Sequence, residues 1–231
     1  LFRSRGAPRE ETPLATRFID DDFDADLKSV YQRIVSGHYN LADLIVIPRS
    51  SNGYLYLYYF LLETRRMLPD HPFPEVVLFD VLHTPYWSTG QYVQGRMLAL
   101  KEKLEQSCAT TITDAALGGA IASVNRSRAA LQVLNGLRRE TRLTGADLLA
   151  AVAAVGCVGP EAATLLARAV LAESEGFEPR PGMRLMVKGA PHDSLDFYRL
   201  VESLGAVIVA DDHVTGERSF EHLVDPALAP I

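Results

Sequence analysis

The spacing of apolar residues changes several times along the chain, and each change marks an element. Residues 1–24 are rich in Pro, Arg and Asp and show no period, so they read as a lead-in segment. From Leu27 to Val35 apolar positions recur at helical spacing and stop at Gly37, a helix-ending signal. Leu44-Ile45-Val46-Ile47-Pro48 is a short, continuously apolar, β-branched run, the pattern of a buried parallel strand. The polar loop Arg49–Gly53 follows, then an amphipathic run over Tyr54–Met67. Val76–Phe79 predicts a second strand, ending in the loop His83–Ser88 before a helix over Gly90–Gln106. Strand, loop, helix, repeated, is the βαβ rhythm of a parallel α/β sheet.

The middle of the chain reads almost entirely as helix. Thr113-Asp114 suits the start of a run reaching Arg139, with Ile121, Val124, Leu131, Leu134 and Leu137 near a three- and four-residue spacing. Thr144 can cap a further helix from Ala146, and Pro160 can open another to Glu173. The α/β rhythm returns with a strand at Met183–Val187, a loop at Lys188–Asp193, a helix at Ser194–Leu204 closed by Gly205, and a strand at Ala206–Ala210. The loop Asp211–Gly216 comes next. The expected division is a first α/β unit over 1–107, a helical connector over 108–176, and the start of a second α/β domain over 177–231. Two strands make no stable sheet alone, so that second domain reads as incomplete, or its strands join another sheet.

Composition narrows the partners. A net charge of -6 argues against nucleic acid, whose phosphates require clustered Lys and Arg. No apolar run approaches the roughly 20 residues of a membrane span. The chain opens Leu1-Phe2-Arg3-Ser4-Arg5, without Met or a secretory apolar segment, and reads as a fragment of a cytoplasmic protein. Its two cysteines, Cys108 and Cys157, are far apart and read as free thiols.

Ligands of open parallel sheets bind beyond the carboxyl ends of the strands, which nominates the loops 49–53, 83–88, 188–193 and 211–216. Ser51 and Asn52 suit a helix N-cap, or an anion at the open amides of a helix start. His83, Tyr86 and Trp87 form the densest polar-aromatic cluster: a platform for a flat or acyl substrate with His83 as proton shuttle, or a packing wedge. Lys188 can pair with a phosphate or thioester oxygen where Gly189 lets backbone approach, or be simply solvated. Asp211, Asp212 and His213 have donor types suited to a divalent metal, but no further ligand stands at a diagnostic spacing, and a turn role competes. Asn125, Arg126 and Arg128 can form an interhelical polar network or face a ligand. No nucleophile elbow, Walker loop or dinucleotide fingerprint is present.

Three stretches in order resemble the 2-hydroxyacyl-CoA dehydratase / benzoyl-CoA reductase family. Leu41–Asn52 is similar to the family's strand ending in a Cys-Asp pair. Leu104-Glu105, Ile112-Thr113, Leu117, Ala120-Ile121, Asn125 and Arg128 resemble its helix pattern. Arg184–Gly189 with Gly205–Asp212 and Gly216-Glu217-Arg218 resemble its last strand–helix–strand and a loop of the form Asp-Asp-x-Cys-x-Gly-x-Arg. The resemblance implies two Rossmann-like α/β units, an acyl-CoA thioester substrate, a related second subunit and an ATP-dependent activator. It also implies a [4Fe–4S] cluster held by three cysteines, and radical dehydration or, in benzoyl-CoA relatives, ring reduction. Here Ser51 and Asn52 replace the Cys-Asp pair, His213 stands at the last cysteine, and the remaining ligand position falls near Asp24. Losing three thiolates removes most of a cluster's affinity, so the redox cluster is expected in a partner subunit. On this basis we assign Ser51, His83 and His213 as catalytic candidates, and Asn52, Tyr86, Trp87, Lys188, Gly189, Asp211 and Asp212 as substrate-binding candidates. The alternative is a cluster-free relative that serves as an acyl-CoA-binding or scaffold partner.

Overall fold

The computed structural model describes residues 11–20, 22–192 and 194–227. Asp193 and the first ten residues of the lead-in segment lie outside them. The chain divides into two compact units, with the boundary between Ile112 and Thr113.

In the N-terminal unit, helices α1 (Pro13–Thr16) and α2 (Ala25–Val35) precede β1 (Leu44–Pro48), α3 (Asn52–Met67), β2 (Glu75–Phe79) and α4 (Trp87–Cys108). Strands β1 and β2 pair in parallel from Leu44↔Glu75 to Pro48↔Phe79, and α3 is the crossover between them. Pro48 carries no amide hydrogen and sits last in its strand, where the ladder continues through the Arg49 amide donating to the Phe79 carbonyl at 2.9 Å. The core joins Leu27, Tyr31, Ile34 and Val35 of α2 to Leu57 and Leu61 of α3, with Ile47 and Val76 from the strands. Gly53 lets the start of α3 close on α2: a Cβ there would lie 2.4 Å from Leu27 Cδ1.

The lead-in segment contributes to this core, contrary to its aperiodic sequence. Ala15 and Ile19 are buried, and Gln32 of α2 accepts from the Leu14 amide at 2.8 Å and the Ala15 amide at 3.1 Å. A helix of four residues is too short to display a period, which is why the pattern missed it. Helix α4 starts at Trp87, so Trp87 and Ser88 are helical rather than loop residues. It has no buried residue.

The C-terminal unit runs α5 (Asp114–Arg139), α6 (Gly145–Val158), α7 (Pro160–Glu173), β3 (Met183–Lys188), α8 (Asp196–Ser203) and β4 (Ala206–Asp212). Thr113 caps α5 through the Ala116 amide at 3.2 Å, and Thr144 caps α6 through the Asp147 amide at 2.9 Å. Glu202 of α8 takes two more open amides of α6, Gly145 at 2.7 Å and Ala146 at 3.3 Å. Strands β3 and β4 pair in parallel with a register shift between Leu185 and Met186, and form a sheet of two strands. Lys188, Asp211 and Asp212 are strand residues rather than loop residues, because the pairing runs on to Lys188↔Asp212. Helices α5, α6 and α7 belong to the same compact unit as these strands, with Leu131, Leu134, Leu148, Ala167 and Phe220 in one core and Leu149, Tyr198 and Ile208 in another. The molecule is thus mixed α/β, helix-rich, with two small parallel sheets.

Candidate functional site

Both sheets bring polar residues to their carboxyl ends. In the N-terminal unit, Ser51 is the N-cap of α3: its backbone is extended, and its hydroxyl accepts from the Tyr54 amide at 3.5 Å. Asn52 is the first residue of that helix and is exposed. His83 lies exposed in the loop after β2. Tyr86 is 69% exposed and Trp87 81%, so these rings wedge nothing, and the aromatic surface at the head of α4 is open to solvent. Beside them sits a constellation that sequence reasoning passed over. Arg49, directly after β1, donates to Asp80 Oδ1 at 3.2 Å, and Tyr92 of α4 donates to Asp80 Oδ2 at 2.6 Å. These bonds, Tyr92 first, hold the Asp80 carboxyl below the usual carboxylate range.

At the carboxyl end of β3–β4 the polar residues are mostly internal. Arg138, in the last turn of α5, is fully buried and pairs with the buried Asp211. It also donates to Glu217 Oε2 at 2.8 Å and to Asn135 Oδ1 at 2.9 Å. Asp211 Oδ1 accepts from the Glu217 amide at 2.6 Å, closing the turn over Gly216. Asp212, whose side chain is 20% exposed, is held by Lys188 at 3.0 Å and by Arg218, and both keep its carboxyl below the usual range. Gly189 follows with φ +139 and open space where a Cβ would stand.

His213 is 1% exposed, and both ring nitrogens are engaged. Thr215 spends its single hydroxyl proton on the His192 carbonyl at 3.1 Å, so its oxygen accepts from His213 Nδ1 at 3.1 Å. His213 Nε2 shares a hydrogen bond of 2.8 Å with the Tyr198 hydroxyl. The imidazole is thus held between Tyr198 and Thr215, and Thr215 in turn bonds to the His192 carbonyl. Burial pushes the His213 pKa down, while burial and the neighbouring Asp211 push the Tyr198 phenol far up, so neither group ionises readily.

A pH dependence follows. An unfolded chain protonates this imidazole near ~6.5, whereas the folded one resists until lower pH, so the unfolded state binds more protons in that window. Stability therefore falls as pH drops below about 6.5, by at most roughly 1.4 kcal/mol per pH unit from this group. Urea midpoints measured across that window should show the slope, and His213→Gln should flatten it.

The donors at the three positions where thiolates are expected do not fit a [4Fe–4S] cluster. Asp24 caps α2, accepting from the Asp26 amide at 2.9 Å and the Leu27 amide at 3.4 Å. Ser51 caps α3, and both His213 nitrogens are engaged by Tyr198 and Thr215. Cys108 and Cys157 are free and exposed, one at the end of α4 and the other in α6 of the C-terminal unit. Nor do Asp211, Asp212 and His213 converge on a metal position, because their polar atoms face Arg138, Lys188, Arg218, Tyr198 and Thr215. Asn125 and Arg128 hold the chain after β4: Asn125 exchanges bonds of 2.7 and 3.0 Å with the Val224 backbone, and Arg128 donates to the His222 carbonyl at 3.0 Å.

Sequence reasoning also missed Arg138 and Tyr198. One signal for Arg138 was available: it falls four residues after Leu134 and seven after Leu131, on the apolar face of α5, where a guanidinium demands partners.

Among the described residues no helix is long and apolar enough to cross a membrane. No curated protein matches the chain. The family model described as 2-hydroxyglutaryl-CoA dehydratase, D-component, matches residues 2–230. With that match over nearly its whole length, the chain belongs to the 2-hydroxyglutaryl-CoA dehydratase D-component family.

Proposed function

We propose that this chain is a subunit of a 2-hydroxyacyl-CoA dehydratase-type enzyme that acts on an acyl-CoA thioester, while a related partner subunit carries the [4Fe–4S] cluster. The observation that carries the reading is the family match over residues 2–230 combined with positions 24, 51 and 213 built as two helix caps and a buried, satisfied histidine. In this reading the two βαβ units are Rossmann-like, and the acyl-CoA contacts come from the exposed groups at the strand ends. His83, Tyr86 and Trp87 serve the N-terminal unit and Lys188 with Gly189 the C-terminal one. Ser51 and Asn52 shape the start of α3, and Asp212 holds Lys188. His213 and Asp211 act through the shape of the 211–218 turn rather than by touching substrate. An ATP-dependent activator would deliver the electron to the partner's cluster, and the working complex is cytoplasmic.

The burial of His213 specifically favours a second reading, in which the chain binds acyl-CoA or supports its partner without turnover. The test is anaerobic reconstitution with iron and sulfide, on the chain alone and with partner subunit and activator. The chain alone should gain neither stoichiometric iron nor the broad visible absorption of a cluster. Dehydration of a 2-hydroxyacyl-CoA should appear only in the full mixture, and its absence there on every such thioester would leave the second reading. A cluster on the isolated chain would sink both.

A further inference from the structure

We propose that the carboxyl end of the β1–β2 sheet is an oxyanion-binding site, in which Arg96 and Arg49 receive a carboxylate or phosphate group beside Asp80. The inference goes beyond the functional reading above and does not depend on it.

Parallel strands deliver Arg49 and Asp80 to the same end of the sheet, since each directly follows its strand. Tyr92 and Arg96 are one turn apart on α4 and so share a face, and Tyr92 bonds to Asp80. Arg49 and Tyr92 occupy one oxygen each of the Asp80 carboxylate. Arg96 lies close enough to help stabilise the Asp80 charge, but its Nε is buried and has no hydrogen-bond partner. A buried nitrogen of a charged group left unpaired is costly, and native structures rarely keep one without a ligand or water to meet it. Two guanidiniums share a single carboxylate here, which leaves one positive charge uncompensated in the cluster. The opening amides of α3, three residues beyond Arg49, add positive potential of the same sign. The planar guanidinium fork matches two oxygens of a carboxylate or phosphate, so an oxyanion is the chemistry the cluster would take.

The test uses the full chain labelled with ¹⁵N-arginine, and follows the arginine Nε–Hε resonances during titration at constant ionic strength. Inorganic phosphate and acetate are the probes, and comparing them separates a phosphate ligand from a carboxylate one. A saturable shift of the Arg96 resonance is expected with at least one of them. Arg96→Gln should abolish binding followed at Arg49, and Arg49→Gln should weaken it about tenfold or more, as for the loss of a charge-assisted bond. Arg168→Gln, on the exposed side of α7, should leave it unchanged. Far-UV circular dichroism checks that each variant keeps its helices, and the conservative Arg96→Lys should retain partial binding if the site is electrostatic. No saturable shift with either anion, or equal shifts in wild type, Arg96→Gln and Arg49→Gln, would overturn the proposal.

Discussion

Arg138→Met should destabilise the C-terminal unit by about 3–5 kcal/mol, a large share of the ~5–15 kcal/mol that holds a typical domain together. The side chain is fully buried, and its guanidinium serves Asp211, Glu217 and Asn135 at once. Methionine fills much of the volume but leaves the Asp211 carboxylate, itself 2% exposed, without its cation. The large term is that stranded charge rather than the lost attraction, because a buried pair replaced whole by neutral groups is often nearly neutral. Arg138→Met combined with Asp211→Asn should therefore recover much of the loss, since Asn keeps an oxygen for the Glu217 amide at no charge. Urea denaturation gives the totals, and hydrogen exchange should place the opening in the peptides around α5 and β4. Equal losses for the single and double variants would show that packing, not the charge, sets the cost.

The elements were largely legible because their signals are local. The apolar runs at Leu44–Pro48 and Met183–Val187 and the caps Thr113 and Thr144 each declare themselves within a few residues. Boundaries moved where tertiary pairing decided them: β4 extends through Asp211 and Asp212 because Lys188 lies opposite, and no local pattern records a partner strand. The candidate site was half legible. Strand-end topology nominated places where the structure does put exposed side chains: His83 in the loop after β2, Trp87 at the head of α4 and Lys188 at the end of β3. Which polar residues are buried was hidden, because a histidine in a strand-end loop reads the same whether it faces solvent or Tyr198. Arg49, Asp80 and Tyr92 escaped for a related reason: they are 31 and 12 residues apart in sequence and meet only through the sheet and α4.

Gly216→Ala should cost about 3 kcal/mol, near the top of the range for one overpacked methyl group. A Cβ at position 216 would stand 2.1 Å from Asp211 Oδ1 and 2.7 Å from both Asp211 Cγ and His213 Cε1. A flexible neighbour would swing aside, but this carboxylate is fixed by Arg138 on one oxygen and by the Glu217 amide at 2.6 Å on the other. His213 is equally constrained, with Tyr198 and Thr215 on its two nitrogens. The new methyl group must therefore move the 216–218 turn and stretch the Glu217 amide bond. The same reasoning fixes the sign of a double-mutant cycle: in the Arg138→Met background Asp211 has lost its anchor and can yield. Gly216→Ala should then cost clearly less than in the wild type, a coupling on the order of 1 kcal/mol. Additive losses in the urea midpoints would mean that the clash is relieved by backbone alone, and that the ion pair does not hold the turn.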